Sequence, residues 1–203
     1  MTLIFVGVVT YTETALDGVD RETAIEVSDG RVELRDTHVS LAYSGQTNSK
    51  KIIEDIAGEM GVPVNFSYNA QFYDFPKGFS VIGLGRVGLD KACASSGLQW
   101  QIQNGILQVK NKRDTMTREV FVLSPDSGLL GVPKKINIGK DADGDEDQPG
   151  WEVVYFLNGA IGIGDYVRLE SKAVQGCFRV RSIEMAGDNL EGDWTCTAKL
   201  IEA

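Results

Sequence analysis

The residues whose spacing promises the most chemistry are Gly83-Leu84-Gly85-Arg86-Val87-Gly88, a literal G-x-G-x-x-G between an apolar run and a helical pattern. Glycines so spaced let a backbone close on a pyrophosphate at a helix N-terminus. That chemistry also needs a following parallel strand that ends in a carboxylate about 20 positions on. Gln103 and Asn104 stand there, directly before Gly105, so a glycine-rich strand-to-helix turn is expected and no cofactor. Asp141, Asp143, Asp145 and Asp147 alternate, and Glu152 takes the twelfth place, as in an EF-hand loop. Glu146 occupies the sixth place, where the sharp turn needs glycine, and no helical pattern flanks the run. A solvated acidic loop is expected there, and no metal.

His38 is the only histidine, in a strand pattern with no G-x-S-x-G element nearby. Cys93, Cys177 and Cys196 could each be paired with it, and nothing in their spacing favours one. Glu54/Asp55 and Asp188/Asp193 are carboxylate pairs of the kind glycosidases use. They fall on a helix face and in a turn-rich loop, where solvation accounts for them. Trp100, Trp151 and Trp194 sit in or beside strands, where aromatics fill cores or interfaces. No catalytic residue is assigned, and the chain is expected not to be an enzyme.

The elements around these residues follow from periodicity. Leu3 to Val9 reads as a strand. Ala24–Ser28 and Val32–Leu34 alternate on either side of Asp29-Gly30, a hairpin signal, and Thr37–Tyr43 continues as a strand. From Ser49 the period changes: Ile52, Ile53, Ile56, Ala57 and Met60 mark a helix over about 49–60, closed by Gly61. Strands are expected at 62–66 and 79–82, a second helix over 86–96, and a hairpin of 98–103 with 106–109 about Asn104-Gly105. Lys110–Arg118 suits a linker. Strands at 119–123, 151–157, 166–171, 176–183 and 194–201 then form an antiparallel barrel or sandwich. The expected fold is α+β and β-rich, with an N-terminal β segment (1–44), a βαββαβ domain (45–112) and a C-terminal antiparallel β-domain (113–203).

Composition narrows the function. The chain has 203 residues and a net charge of −9, and its basic residues form no cluster, so direct nucleic-acid binding is not expected. No apolar run is long enough to span a membrane, and the apolar start lacks a basic leader and a cleavage site. Three scattered cysteines point to a reducing compartment at synthesis.

The stretch from Arg35–Ser40 through Lys51–Val64 to Leu89–Cys93 and Gly97–Gly105 resembles a domain of Mu-like phage tail hub proteins. It is also similar to the short N-terminal domain of secretins and TonB-dependent receptors. Leu123–Gly131, Ile163–Ser171, Val174–Val180 and Gly187–Trp194 resemble the closing β-domain of the hubs and break the tie. The resemblance covers about residues 20 to 203. It implies a baseplate hub subunit, a homo-oligomer and most simply a trimer, that links tail tube to central spike or baseplate. Its place would be the virion tail, after synthesis in the host cytoplasm. Family hubs carry a longer N-terminal tube-like domain, so this is either a shortened hub or one whose first domain another chain completes, and the hub reading carries the expectation of completion by partners. The alternatives are a periplasmic secretin-like docking component and, after it, a wall-degrading or nucleotide-binding enzyme.

Overall fold

The computed structural model describes residues 3–112, 114–116, 119–139, 148–190 and 192–202. The chain divides into two compact units, Phe5–Met116 and Thr117–Ala203, the second also taking in Met1–Ile4.

The first unit opens with a hairpin of β1 (Val8–Asp17) and β2 (Asp20–Ser28). Its turn is Gly18-Val19, with Gly18 at φ 64° and Asp17 opposite Asp20. The hairpin expected at Asp29-Gly30 is absent, because both partners of that turn are used otherwise. Gly30, at φ 67°, leads into a short helix α1 (Arg31–Asp36), and Leu34 of that helix packs on the core. The Asp29 carboxylate accepts a hydrogen bond from the Gly105 N–H at 3.1 Å. The hairpin closes twelve residues earlier, and its turn is not an Asp-Gly turn: Asp17 already belongs to β1 and glycine takes the first central position. The strand expected from Leu3 begins only at Val8.

There follow β3 (His38–Tyr43), β4 (Thr47–Asn48), α2 (Ser49–Met60), β5 (Val64–Phe66), β6 (Asp74–Phe75), β7 (Phe79–Leu84), α3 (Gly85–Ser95), β8 (Leu98–Gln103) and β9 (Ile106–Asn111). The expected strand-helix-strand-strand-helix-hairpin elements occur together with two further two-residue strands, β4 and β6, and the strands lie in separate small sheets. β3 pairs antiparallel with β7, β4 with β6, and β5 lies parallel to β9 beside β8. β3, counted with the N-terminal segment by sequence, therefore packs in the α+β fold. α2 starts because the Asn48 side chain accepts the Lys50 N–H at 2.9 Å. It stops at Gly61, φ 70°, where Val62 donates back to the Ala57 carbonyl at 3.1 Å. Ile52, Ile53 and Ile56 on its inner face are fully buried with Leu89, Leu107 and Val109, each worth roughly 1.5–3 kcal/mol of burial.

The second unit is one six-stranded sheet: β10 (Phe121–Leu123), β11 (Leu129–Ile138), β12 (Gln148–Phe156), β13 (Tyr166–Glu170), β14 (Gln175–Ala186) and β15 (Thr195–Glu202). Its order is β10-β13-β14-β15-β12-β11. Burial alternates along the strands, with Val153 and Tyr155, Val167 and Leu169, Phe178 and Val180, and Cys196, Ala198 and Leu200 on one inner face. The outermost strands, β10 and β11, are consecutive in the chain. In a flat sheet they would stand about 24 Å apart, five spacings of about 4.8 Å. Only Ser124–Gly128 joins them, with a 3-10 turn at Pro125–Ser127 and the Leu129 N–H donating to the Ser124 carbonyl at 2.9 Å. The sheet must therefore curl toward a barrel.

One pairing departs from the expected antiparallel pattern: β10 runs parallel to β13. The chain crosses to the far rim as β11, returns as β12, and enters β13 in the direction of β10. β11 itself was missed by sequence, since Gly131, Pro133, Lys134 and Lys135 hide its strand character.

Candidate interaction surface

The motifs singled out by spacing have local explanations. Gly83 ends β7 at φ 132°, and Gly85 and Gly88 lie in α3. A Cβ on Gly88 would stand 2.8 Å from Ile56 Cδ1, and one on Gly85 would stand 3.4 Å from Met60. These glycines let α3 lie close on α2. The Gly85 N–H, which a phosphate would need, donates to the Thr37 carbonyl at 2.9 Å. His38 is exposed, with Nδ1 3.2 Å from the Asp36 carbonyl. Cys93 is buried, and burial pushes its thiol up to about 12. Cys196 is buried in the second unit and Cys177 is exposed.

Asp55 accepts the Tyr43 hydroxyl at 2.5 Å and faces Lys51 at 3.4 Å, while Glu54 faces Lys50 at 3.9 Å. Burial, then that hydrogen bond, holds the Tyr43 hydroxyl above the usual phenol range. Asp188 caps its own loop by accepting the Leu190 N–H at 2.8 Å. Trp100 donates to Asp90, Trp151 packs on the curled sheet, and the half-exposed Trp194 donates to the Asp188 carbonyl. The acidic run Asp141–Asp147 lies outside the described residues; Glu152, in β12, faces Lys134 at 3.9 Å. Among the described residues no group of three or more His, Cys, Asp or Glu is placed to hold a metal, and no helix is long and apolar enough to cross a membrane.

What stands out instead is the β1–β2 hairpin. The two strands pair only with each other among the described residues. No hairpin residue belongs to either buried core. An isolated two-stranded ribbon is marginal by itself in water. Cross-strand register sorts its side chains onto two unlike faces. One carries Tyr11 opposite Glu26, Glu13 opposite Ala24, and Ala15 opposite Glu22. The other carries Val9 opposite Val27, Thr12 opposite Ile25, Thr14 opposite Thr23, and Leu16 opposite Arg21. Thr14 and Thr23 satisfy each other at 3.1 Å, which lowers the polar demand of that face between Ile25 and Leu16. Leu16 is 75% exposed and Ile25 60%. Covering these apolar side chains would contribute on the order of 1 kcal/mol each. Before the hairpin, Leu3, Ile4, Phe5 and Val6 are also exposed. This is the candidate interaction surface: a more apolar face, a carboxylate face and two edges that no described strand covers.

Sequence reasoning saw the alternation of Ala24–Ser28 and missed its partner strand. The available signal was Gly18-Val19, a two-residue turn led by glycine, between the Thr12-Thr14-Leu16 and Arg21-Thr23-Ile25 alternations.

No protein-family profile matches the chain, and no curated protein matches it by sequence. Solved structures do. A tail protein from Neisseria meningitidis MC58 superposes with a TM-score of 0.67 at 11% identity, over 98% of this chain and 80% of its own. The fold is that of phage tail proteins. The 43 kDa tail protein of prophage MuSo2 from Shewanella oneidensis gives 0.65 at 12% identity, over 98% and 76%. An Escherichia coli component of the type VI secretion system, described as structurally similar to phage T4 tail proteins, gives 0.62 at 9% identity, over 97% and 60%. The tail-protein fold thus extends over nearly the whole chain, as the sequence resemblance implied.

Proposed function

We propose that this chain is a structural subunit of a phage-type tail, a baseplate hub that assembles as a ring, most simply of three copies, and links tail tube to central spike. The observation that carries this reading is the β1–β2 hairpin, folded in regular register yet lying outside both cores. A strand pair with one apolar face and open edges is a part made to be completed by a neighbour. The tail-protein fold supplies the setting. In this reading the stretch before His38 is a partial tube-like domain, the residues to about 112 are a secretin-like spacer, and 113–203 is the closing β-domain. The work is geometric and needs no catalysis. The hairpin's carboxylate face suits a channel that passes DNA without holding it, since like charge suppresses adhesion.

The test is assembly. A tagged chain expressed with the tail genes should purify in tail particles, and deletion of Val8–Ser28 should leave it folded and absent from them. A deletion variant that still enters particles at wild-type level would refute the reading. Hydrolase activity of the pure protein on peptidoglycan would refute its non-enzymatic part.

A further inference from the structure

The hub reading leaves open what covers the hairpin, and the charges along two strand edges answer it. We infer that β2 of one copy pairs, in a second copy, along the edge of β11 that no described strand covers. This inference rests on the ring assembly proposed above and names the contact that would build it.

β2 is the better edge of the hairpin. β1 has a register irregularity between Val9 and Tyr11, whereas β2 runs nine residues without proline or lysine. Its charges are Asp20, Glu22 and Glu26 against Arg21, three negative and one positive. The curled sheet offers two rims, and β10 is only three residues long. β11 is ten residues long, with Lys134 and Lys135 and no acidic residue. The Lys134 side chain is 77% exposed, and its approach to Glu152, at 3.9 Å, is loose.

These features select one partner for each edge. The irregularity of β11 between Leu130 and Lys134 and its paired lysines are devices that keep an edge strand from pairing with a copy of itself. An acidic strand reverses that penalty. β2 against β2 would in turn set carboxylates against carboxylates, so the hairpin is poor at pairing with its own kind. β11 beyond the irregularity, Lys134–Ile138, spans about 17 Å, within the length of β2. Lys135 projects to the face opposite Ile136 and Ile138, so a register that sets those isoleucines on the Ile25 and Val27 side of the ribbon sets Lys135 on the Glu22 and Glu26 side. The contact joins unlike strands, so it is head-to-tail and repeats from copy to copy, the geometry that generates rings when the rotation closes.

Charge exchange tests this. The full chain is compared with Lys135→Glu, with Glu22→Lys/Glu26→Lys, and with the variant that carries all three changes. Solution mass is followed by light scattering across concentration, and circular dichroism verifies folding. Either set of changes should weaken self-association by about tenfold or more, and the three together should restore it. Association of the unaltered chain should fall as salt rises. A second measurement mixes two size-tagged populations in a Cys177→Ser background, one with Glu22→Cys and the other with Lys135→Cys. Oxidation should link unlike copies. If association survives the charge reversals and the mixed crosslink fails, the β2–β11 contact is wrong while ring assembly stands. If the unaltered chain is monomeric at every concentration, a second copy is not the occupant, and entry into tail particles then judges the hub reading separately.

Discussion

Replacing Gly88 by alanine puts two physical effects in opposition, and the structure decides between them. Alanine in a helix interior is favoured over glycine by about 1 kcal/mol. Against this, the new Cβ would stand 2.8 Å from Ile56 Cδ1, with both Val81 methyls at 3.5 Å. Ile56 is fully buried, so its terminal methyl has nowhere to go without moving the α2–α3 contact. Overpacking of this kind costs about 1–3 kcal/mol, so Gly88→Ala is expected to destabilise by about 1 kcal/mol net. Ile56→Val removes the obstructing Cδ1 and alone costs about 0.5–1.5 kcal/mol. The double variant should then be more stable than the sum of the singles predicts, with a coupling of at least about 0.5 kcal/mol. Urea denaturation at constant m-value measures all four corners of the cycle. If Gly88→Ala stabilises and the cycle is additive, the close-packing account of this glycine motif is wrong.

Three further outcomes follow from burial and hydrogen bonding. Tyr43→Phe removes a hydrogen bond to a charged carboxylate, and a loss of about 1.5 kcal/mol in denaturation is expected, with Asp55→Asn losing a similar amount; no change in either would refute a stabilising role. The buried Tyr155 hydroxyl meets no oxygen or nitrogen partner among the described residues and has only the weakly bonding Cys196 thiol beside it, so Tyr155→Phe should change stability by less than about 0.5 kcal/mol; a large loss would show that the thiol contact stabilises the fold. The Cys93 thiol is pushed up to about 12 by burial, and Tyr43 is raised in the same sense, so each favours its protonated form when folded. Their stabilising contribution is full below the unfolded values and is lost as pH rises toward and beyond 12. A thiol reagent at pH 8 should titrate Cys177 alone in the folded chain and three thiols in denaturant; rapid labelling of Cys93 would contradict its burial.

The α+β elements were legible because each carries its own punctuation. Ile52, Ile53 and Ile56 mark a helix face, Gly61 its stop, and Asn104-Gly105 a turn with Asn104 at φ 52°. The β11 strand was not legible, because a rim strand is free to carry glycine, proline and lysine, which depress every local strand signal. The parallel pairing of β10 with β13 could not be read either. It depends on where β11 and β12 go, a matter of global path. The hairpin turn was placed at the second of two Asp-Gly pairs, although neither pair forms the turn, which is Gly18-Val19. Only the contact between Asp29 and the Gly105 N–H shows that the second is already engaged. The hub-like resemblance survived these local errors because it rests on turn and core residues spread over the chain.

The two-faced hairpin also bears on the life of the protein before assembly. Newly made copies would each hold out an apolar ribbon with open edges, the usual seed of irregular aggregates. Glu13, Glu22 and Glu26 on the opposite face act as gatekeepers, because two ribbons cannot pair edge to edge, with like faces aligned, without crowding carboxylates. Solubility of the waiting pool and readiness to assemble therefore depend on the same charges. Neutralising them with alanine should shorten the shelf life of the unassembled chain before it changes the stability of its fold.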